Sequence, residues 1–235
     1  EYTYENTAEV IGDGGDVLDS ADATLDVEIL CEALDVSKTA ETFYIRTHDW
    51  SIDKSVDTEL GYKHDGFPKI WLYIDGRGDE SATWTVDVTY EGFEDSDFNV
   101  SGNITIENTG DLDAFITSVD DLLGGTPIDV CDVSFPYTLG VGDKLTCSYG
   151  AGVDSKIEGY NKASVTTELG NTYEADPVAI VWGDPDEEYN ASVEITDTNA
   201  GFADKYGAVT LDADDYTADD VETFTYSKAF AWEDY

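Results

Sequence analysis

The chain has no methionine, two histidines and only 11 lysines and arginines among its 235 residues. Each shortage rules something out. Against 53 acidic residues and a formal charge of −42, so few cations leave no cluster of Lys and Arg to hold phosphates. This argues against nucleic acid as a partner and, on the same ground, against an anionic membrane surface. No stretch approaches the roughly 18 apolar residues of a membrane-spanning helix. With no initiator methionine and no signal peptide at Glu1, the chain reads as a processed product or an excised segment. Any export signal is expected to have been removed already. His48 and His64 stand at no zinc-ligand spacing from the cysteines, and the chain carries neither a nucleophile elbow nor a phosphate loop. No enzyme, catalytic residue or organic cofactor is expected.

Disorder is the next question for so acidic a chain. A content of 41% hydrophobic and 12% aromatic residues, with 15 Tyr and 5 Trp, is too high for a solvating tail. The chain is therefore a folded protein with an acidic coat. Its three cysteines allow one internal bridge at most. Cys131 and Cys147 lie close in sequence and flank the turn-rich run Phe135 to Asp143. A disulfide between them would place the chain outside the cytoplasm. It would leave Cys31 as a free thiol or a link to another chain.

The periodicity is two. Thr83 to Tyr90, Asn99 to Ile106, Ala191 to Thr196 and Ala23 to Ile29 all alternate polar with apolar, as half-buried strands do. Turn signals separate these runs at Gly12–Asp16, Asn108–Asp111, Gly170–Asn171 and Asp212–Asp215. Only Ala114 to Leu123 could be helical, and its β-branched content suits a strand equally. Many short strands with turns between them predict an all-β sandwich architecture.

An internal repeat is visible. Val100 to Thr109 resembles Ala191 to Thr198, and Lys144 to Tyr149 resembles Glu222 to Ser227. The first copy continues through Tyr160–Val165 and Tyr173–Ile180; the second stops at Tyr235. Its missing strand pair is found at the other end, in Tyr4–Val10 and Asp19–Val27, at matching spacing if Tyr235 is followed by Glu1. The expected organisation is an N-terminal strand pair (1–34), a complete sandwich (35–183) and a C-terminal half-sandwich (184–235). The split sandwich could close within one molecule, be completed by the neighbouring copy's N-terminal strands, or be a register cut from a longer tandem array. Completion in trans is the favoured expectation, because neither half can satisfy its own sheet edges.

Trp50-Ser51-Ile52-Asp53-Lys54-Ser55-Val56-Asp57 is similar to the opening of a repeat in secreted prokaryotic surface proteins. Val100 to Ile106, Phe135 to Leu139 with Thr146-Cys147, and Phe224 to Ser227 resemble the same repeat. Such proteins look like strings of immunoglobulin-like sandwiches, and the resemblance covers nearly the whole chain. It implies a cysteine pair where Cys131 and Cys147 stand. Other members carry a cysteine near Asp186–Tyr189 that is missing here, so Cys31 has no evident partner. It further implies an extracellular structural or adhesive role.

The resulting expectation is a secreted, cell-surface subunit that polymerises with itself into an extracellular filament by strand complementation. Its joint is expected to use Tyr4, Val10, Leu25, Val27 and Ile29 of one copy. Those residues would meet Val193, Ile195, Phe224, Tyr226 and Phe230 of the next. The alternative is an adhesin or matrix-binding module, with surface glycans or matrix as its partner. Acidic turns offer hard oxygen ligands for calcium at Asp13 with Asp16, Asp184 with Asp186, and Asp212 with Asp214, although none fits an EF-hand. The plainer reading of these turns is a surface suited to high salt. Asn99, Asn103 and Asn190 head N-glycosylation sequons. Arg77-Gly78-Asp79 spells an integrin-type tripeptide but reads better as a turn.

Overall fold

A computed structural model of the chain describes residues 2–234. The protein is all-β: the described residues form several sheets, one short α-helix and two 3₁₀ turns. In chain order the strands begin with β1 (Tyr2–Ile11), β2 (Val17–Val27), β3 (Leu34–Lys38), β4 (Glu41–Thr58), β5 (Lys63–His64) and β6 (Phe67–Pro68). They continue with the long β7 (Glu80–Asn108), then β8 (Ala114–Leu123), β9 (Thr126–Ile128), β10 (Tyr137–Leu139), β11 (Lys144–Gly152) and β12 (Tyr160–Thr167). The remainder are β13 (Thr172–Glu174), β14 (Val178–Ala179), β15 (Glu187–Tyr189), β16 (Ser192–Ile195), β17 (Val209–Asp212) and β18 (Asp220–Phe230). Helix α1 (Ala200–Tyr206) lies between β16 and β17. The expected join of Tyr235 to Glu1 falls outside the described residues.

The strands group into two compact units, and the cuts differ from the expected ones at 34/35 and 183/184. The first unit takes the chain up to Glu41, Val100–Ala151 and Ile157–Val181; the second takes Thr42–Asn99, Gly152–Lys156 and the chain from Trp182 onward. Residues 42–99, expected in the complete sandwich, therefore belong with the C-terminal segment. The reason is β7. Its N-terminal part pairs with β18, from Tyr90 opposite Asp220 to Glu80 opposite Phe230. Its C-terminal part pairs with β3, from Ile104 opposite Lys38 to Asn108 opposite Leu34.

In the first unit, β3, the end of β7 and β11 form one sheet, and β10-β8-β12-β13 form another, with β9 and β14 at its margins. The buried residues come from both: Val36, Val100, Ile104 and Ile106 from one sheet, and Ala114, Ile116, Leu139 and Val165 from the other. The ambiguous segment 114–123 is strand β8. Its buried positions run Ala114, Ile116, then Val119, Asp121 and Leu123. The change of phase matches a register shift opposite Thr166/Thr167, where an extra residue re-aims the side chains. That single slip blurs the alternation and explains the helical look of the sequence.

The turn after β7 is built by Asn108. Its buried amide donates to the carbonyls of Leu112 and Leu139, both at 2.8 Å, while Oδ1 accepts from Gly110 N–H at 3.1 Å. A Cβ on Gly110 would come within 2.5 Å of the Cys31 carbonyl oxygen, so the turn requires glycine. Cys131 and Cys147 are disulfide-bonded with Cα atoms 4.3 Å apart, as expected, and Cys31 is free and exposed.

In the second unit β18, β7, β4 and β15 form one sheet, with β15 parallel to β4; β16 and β17 form a separate pair. The core joins Val86 and Val88 of β7, Phe224 and Tyr226 of β18, Ile195, Leu211 and Phe202 of α1. Phe202 meets Phe224 and Tyr226 edge-on at 5.7 and 5.8 Å. Helix α1 was not legible as a helix. Asn199 caps it, its Oδ1 accepting from Gly201 N–H at 3.1 Å.

The structure does not reproduce the sequence repeat as a topological one. Val100–Ile106 and Lys144–Tyr149 lie on neighbouring strands, β7 and β11, whereas Ser192–Ile195 and Glu222–Ser227 lie on β16 and β18, in different sheets. Alternating polar and apolar residues satisfy any half-buried strand, so the likeness carries periodicity rather than position. Among the described residues no helix is long and apolar enough to cross a membrane. The disulfide, with a sequence separation of 16, is expected to stabilise the first unit by about 3 kcal/mol through loop closure. Thermal unfolding of Cys131→Ser/Cys147→Ser beside the oxidised chain checks this, and an unchanged Tm would contradict it.

Candidate functional site

The N-terminal hairpin is the most unusual surface of the chain. β1 and β2 pair antiparallel with Tyr2 opposite Val27, Tyr4 opposite Leu25, Asn6 opposite Ala23 and Ala8 opposite Ala21. Because side chains alternate across a strand, these positions and Val10 share one face. The other face carries Thr3 opposite Asp26, Glu5 opposite Thr24, Thr7 opposite Asp22 and Glu9 opposite Ser20. One side is thus mostly apolar, broken by Asn6 and by Asp19 opposite Val10. The other is acidic or hydroxylic up to the bulge that brings Ile11 opposite Val17, and Thr3 Oγ1 donates to Asp26 across it at 2.8 Å. Both sides face solvent: Tyr4 is 68% and Leu25 61% exposed, and every residue of the two strands is exposed. Single exposed apolar side chains are ordinary; a contiguous sheet face of them marks an interaction surface. The hairpin brings together Tyr4, Val10, Leu25 and Val27 as expected. Ile29 lies beyond the end of β2, exposed, in the connection to β3.

The expected acceptor residues stand differently. Ile195, Phe224 and Tyr226 are buried in the second unit's core, and Val193 and Phe230 are partly buried, with Phe230 against Trp84 at 6.3 Å. They are covered already, because β7 and α1 supply the layer that was expected from elsewhere. What remains open in this unit is main chain. β16 and β17 pair only with each other, so each presents an unpaired edge. β18 also ends its sheet, but α1 closes it. The Tyr206 hydroxyl accepts from Thr225 N–H at 2.9 Å and donates to Thr225 O at 2.7 Å, while Lys205 Nζ donates to the same oxygen at 2.5 Å. A side chain thereby occupies the ladder position that an added strand would need.

A polar bolt centred on the buried Asp197 carboxylate holds α1 and β16 to the larger sheet. Asp197 accepts from Lys54 Nζ and the Tyr226 hydroxyl, both at 2.7 Å, and from Asn199 N–H at 2.9 Å. Burial disfavours the charge, but these donors outweigh it and hold the Asp197 carboxyl down at about 2. Elsewhere in the unit Arg46 grips Asp95 through two bonds of 2.7 and 3.0 Å and lies 3.6 Å over the Phe93 ring. Beside it, buried His48 shares its two ring nitrogens between the Tyr90 hydroxyl at 2.8 Å and Glu188 at 3.4 Å.

The acidic turns are dispersed. Asp13 and Asp16 occupy the β1–β2 turn, Asp184 and Asp186 precede β15, and Asp212 ends β17 with Asp214 just beyond it. Asp186 is engaged in accepting from Tyr44 N–H at 3.1 Å. Among the described residues no three His, Cys, Asp or Glu side chains converge as a metal site would require. Of the sequon asparagines, Asn103 is exposed on β7, with Oδ1 accepting from Ser148 at 2.8 Å, and Asn99 is partly buried. Asn190 is exposed but its amide nitrogen donates to His48 O at 3.2 Å, a bond that a glycan on that nitrogen would disturb. The Arg77–Asp79 tripeptide is a tight turn: Arg77 pairs with Asp75 at 2.7 Å, and a Cβ on Gly78 would collide with Trp71 O.

The depressed Asp197 carboxyl sets an acid limit. Its unfolded value is about 3.9, so its stabilisation is complete above that pH and is lost as pH falls through about 2. Asp197→Asn is expected to cost about 1–3 kcal/mol at neutral pH and to flatten that part of the acid-unfolding curve. Denaturant titrations between pH 7 and 2 read this directly; parallel curves for the two proteins would refute it.

Compared with known proteins, the chain is matched by no family model, no curated protein and no solved structure.

Proposed function

We propose that the chain is a secreted structural subunit of immunoglobulin-like sandwiches that joins head-to-tail with its own copies into an extracellular filament. The observation that carries this reading is the exposed, mostly apolar face of the β1–β2 hairpin, with Tyr2, Tyr4, Leu25 and Val27 together at its open end. A lone two-stranded hairpin is marginal in water, and this one offers both a free ladder edge and an apolar side. Adding it to a neighbour's sheet satisfies both at once. The acceptor that suits it is the β16–β17 pair, whose strands are both edges. β18 is the longer edge but is stoppered by Tyr206. Each large side chain buried in the joint contributes roughly 1.5–3 kcal/mol. Donor and acceptor are different surfaces, so the contact is heterologous, and without ring closure it propagates as a fibre. The disulfide suits an oxidising exterior.

Copies carrying −42 each repel one another. Screening falls from about 30 Å in range at 0.01 M salt to about 3 Å at 1 M, so assembly is expected to strengthen with salt. Light scattering after size exclusion, with negative-stain electron microscopy, is expected to show polymers of the native chain that lengthen as salt rises. The double variant Leu25→Asp/Val27→Asp changes residues that touch no core and is expected to be monomeric with unchanged circular dichroism. Polymers persisting in this variant would rule out the hairpin as the joint. A native chain monomeric at every salt concentration would instead favour a binding module that presents loops to surface glycans or matrix.

A further inference from the structure

The first unit's core contains a charged pair that no other part of its architecture requires. Lys38, the last residue of β3, points its ammonium at Asp121 of β8, with Nζ 2.5 Å from Oδ2 and both side chains at 0% exposure. The ammonium also lies 3.7 Å above the centre of the Tyr149 ring. Asn161 of β12 is wholly buried beside them. Ala163 is the register partner of Asp121, so Asn161 is the diagonal neighbour of that carboxylate on the same inward face. The Asn161 amide borders Asp121 and the Tyr149 hydroxyl, yet neither of its polar atoms completes a hydrogen bond, and Asp121 Oδ1 is likewise unsatisfied. Tyr149 is turned elsewhere, its hydroxyl donating to Thr39 O at 2.6 Å.

An amine and a primary amide, both buried and both bordering one buried carboxyl group, form a costly arrangement if they only pack. A buried ion pair recovers its desolvation penalty only when its remaining hydrogen-bonding positions are filled, and here they are not. The same three groups are the complete set for one reaction. We propose that Lys38 and Asn161 become joined by an intramolecular amide bond, with Asp121 carrying the protons.

The step balances without any further reactant. Lys38 passes a proton to Asp121 and becomes the neutral amine, whose lone pair attacks Cγ of Asn161. The new C–N bond forms as the C=O π pair moves onto oxygen. Asp121 then protonates Nδ2, the Cγ–Nδ2 bond breaks, and ammonia leaves as the carbonyl re-forms. The second proton lost from Nζ passes to Asp121, which ends protonated and neutral. Lysine amine and asparagine amide thus become a secondary amide plus ammonia, with no change of oxidation state.

The surroundings favour each requirement. Burial lowers the Lys38 ammonium against the opposing pull of Asp121, and burial raises the Asp121 carboxyl against Lys38, so both groups move toward the neutral forms that the proton transfer needs. The Tyr149 hydroxyl, pushed up to about 12 mainly by burial, stays protonated and does not compete as a base. Excluded water leaves no rival nucleophile, and fixed neighbours replace a bimolecular encounter. The product removes both buried charges.

This inference stands on the first unit alone and is independent of the assembly reading. Its consequence is mechanical. β3 is the first strand after the exposed hairpin, and an amide from Lys38 to Asn161 would rivet it to β12 in the opposite sheet.

Intact-mass spectrometry of the full native chain, with Cys131–Cys147 oxidised, tests the proposal. The expected mass falls short of that calculated for the disulfide-bonded sequence by one ammonia. Proteolysis is expected to release a branched peptide joining the segments that hold Lys38 and Asn161. Lys38→Arg keeps the charge but removes the nucleophile, and Asp121→Ala removes the proton carrier; both are expected to show the full mass and no branched peptide. A native chain of full mass would overturn the proposal whether or not either variant folds. So would a loss of water with the branch mapped to Asp121, which would make the carboxyl the electrophile, or a loss of ammonia without any branch.

Discussion

Everything in this protein depends on one strand keeping its phase. β7 runs from Glu80 to Asn108, and its even-numbered positions stay inward for most of that length. Ala82, Val86, Val88 and Tyr90 are buried in one unit; Val100, Ile104, Ile106 and Asn108 are buried in the other. A slip of one residue would turn every one of these side chains to solvent. The ladder to β18 and the ladder to β3 are both read against this strand. The register of β7 therefore sets which parts of a long chain share a core.

The shortage of cations gives the acidic coat a second meaning. Of the 11 Lys and Arg residues, Lys38, Arg46, Lys54, Arg77, Lys144 and Lys156 each hold a carboxylate of their own unit. Most of the scarce positive charge is thus matched to a carboxylate within the same unit, and the remaining surface is left acidic. Exposed pairs such as Arg77–Asp75 contribute little. Pairs with a buried carboxylate fix geometry: Lys54–Asp197 ties α1 and β16 to the larger sheet, and the wholly buried Lys38–Asp121 ties β3 to β8. Between copies of the chain the same imbalance is repulsive. Any self-association must then draw on apolar burial and main-chain ladders, and the hairpin is where both are exposed together.

Much of this was legible in the chain, and the failures share a cause. The alternation of Tyr4 to Val10 and of Asp19 to Val27 foretold an amphipathic strand pair, because period two is a local property. Cys131 and Cys147 foretold their bridge for a similar reason: a short loop with turn residues brings its ends together. The acceptor was misjudged because Phe224 and Tyr226 look equally apolar whether a neighbour or β7 covers them. Helix α1 was missed because seven residues with one buried side chain, Phe202, show no helical period. The Lys38–Asp121–Asn161 group could not be found at all. Asp121 and Asn161 stand 83 and 123 positions from Lys38 along the chain, and nothing in the sequence sets that lysine apart from the other eight.

The sequence by itself determined what each residue prefers locally: strand or turn, inward or outward, a glycine where the backbone turns tightly, an acidic coat with an apolar interior. Those preferences act over a few residues and survive in any arrangement of strands. Only the tertiary structure decided which strands meet. Pairing by β7 gave residues 42–99 to the C-terminal unit, closed the edge of β18 with Tyr206, left the edges of β16 and β17 open, and buried a lysine against an aspartate and an asparagine. Alternation fixes the face of a strand but is silent about its partner, and the partner is chosen by ladders and burial summed over the whole sheet.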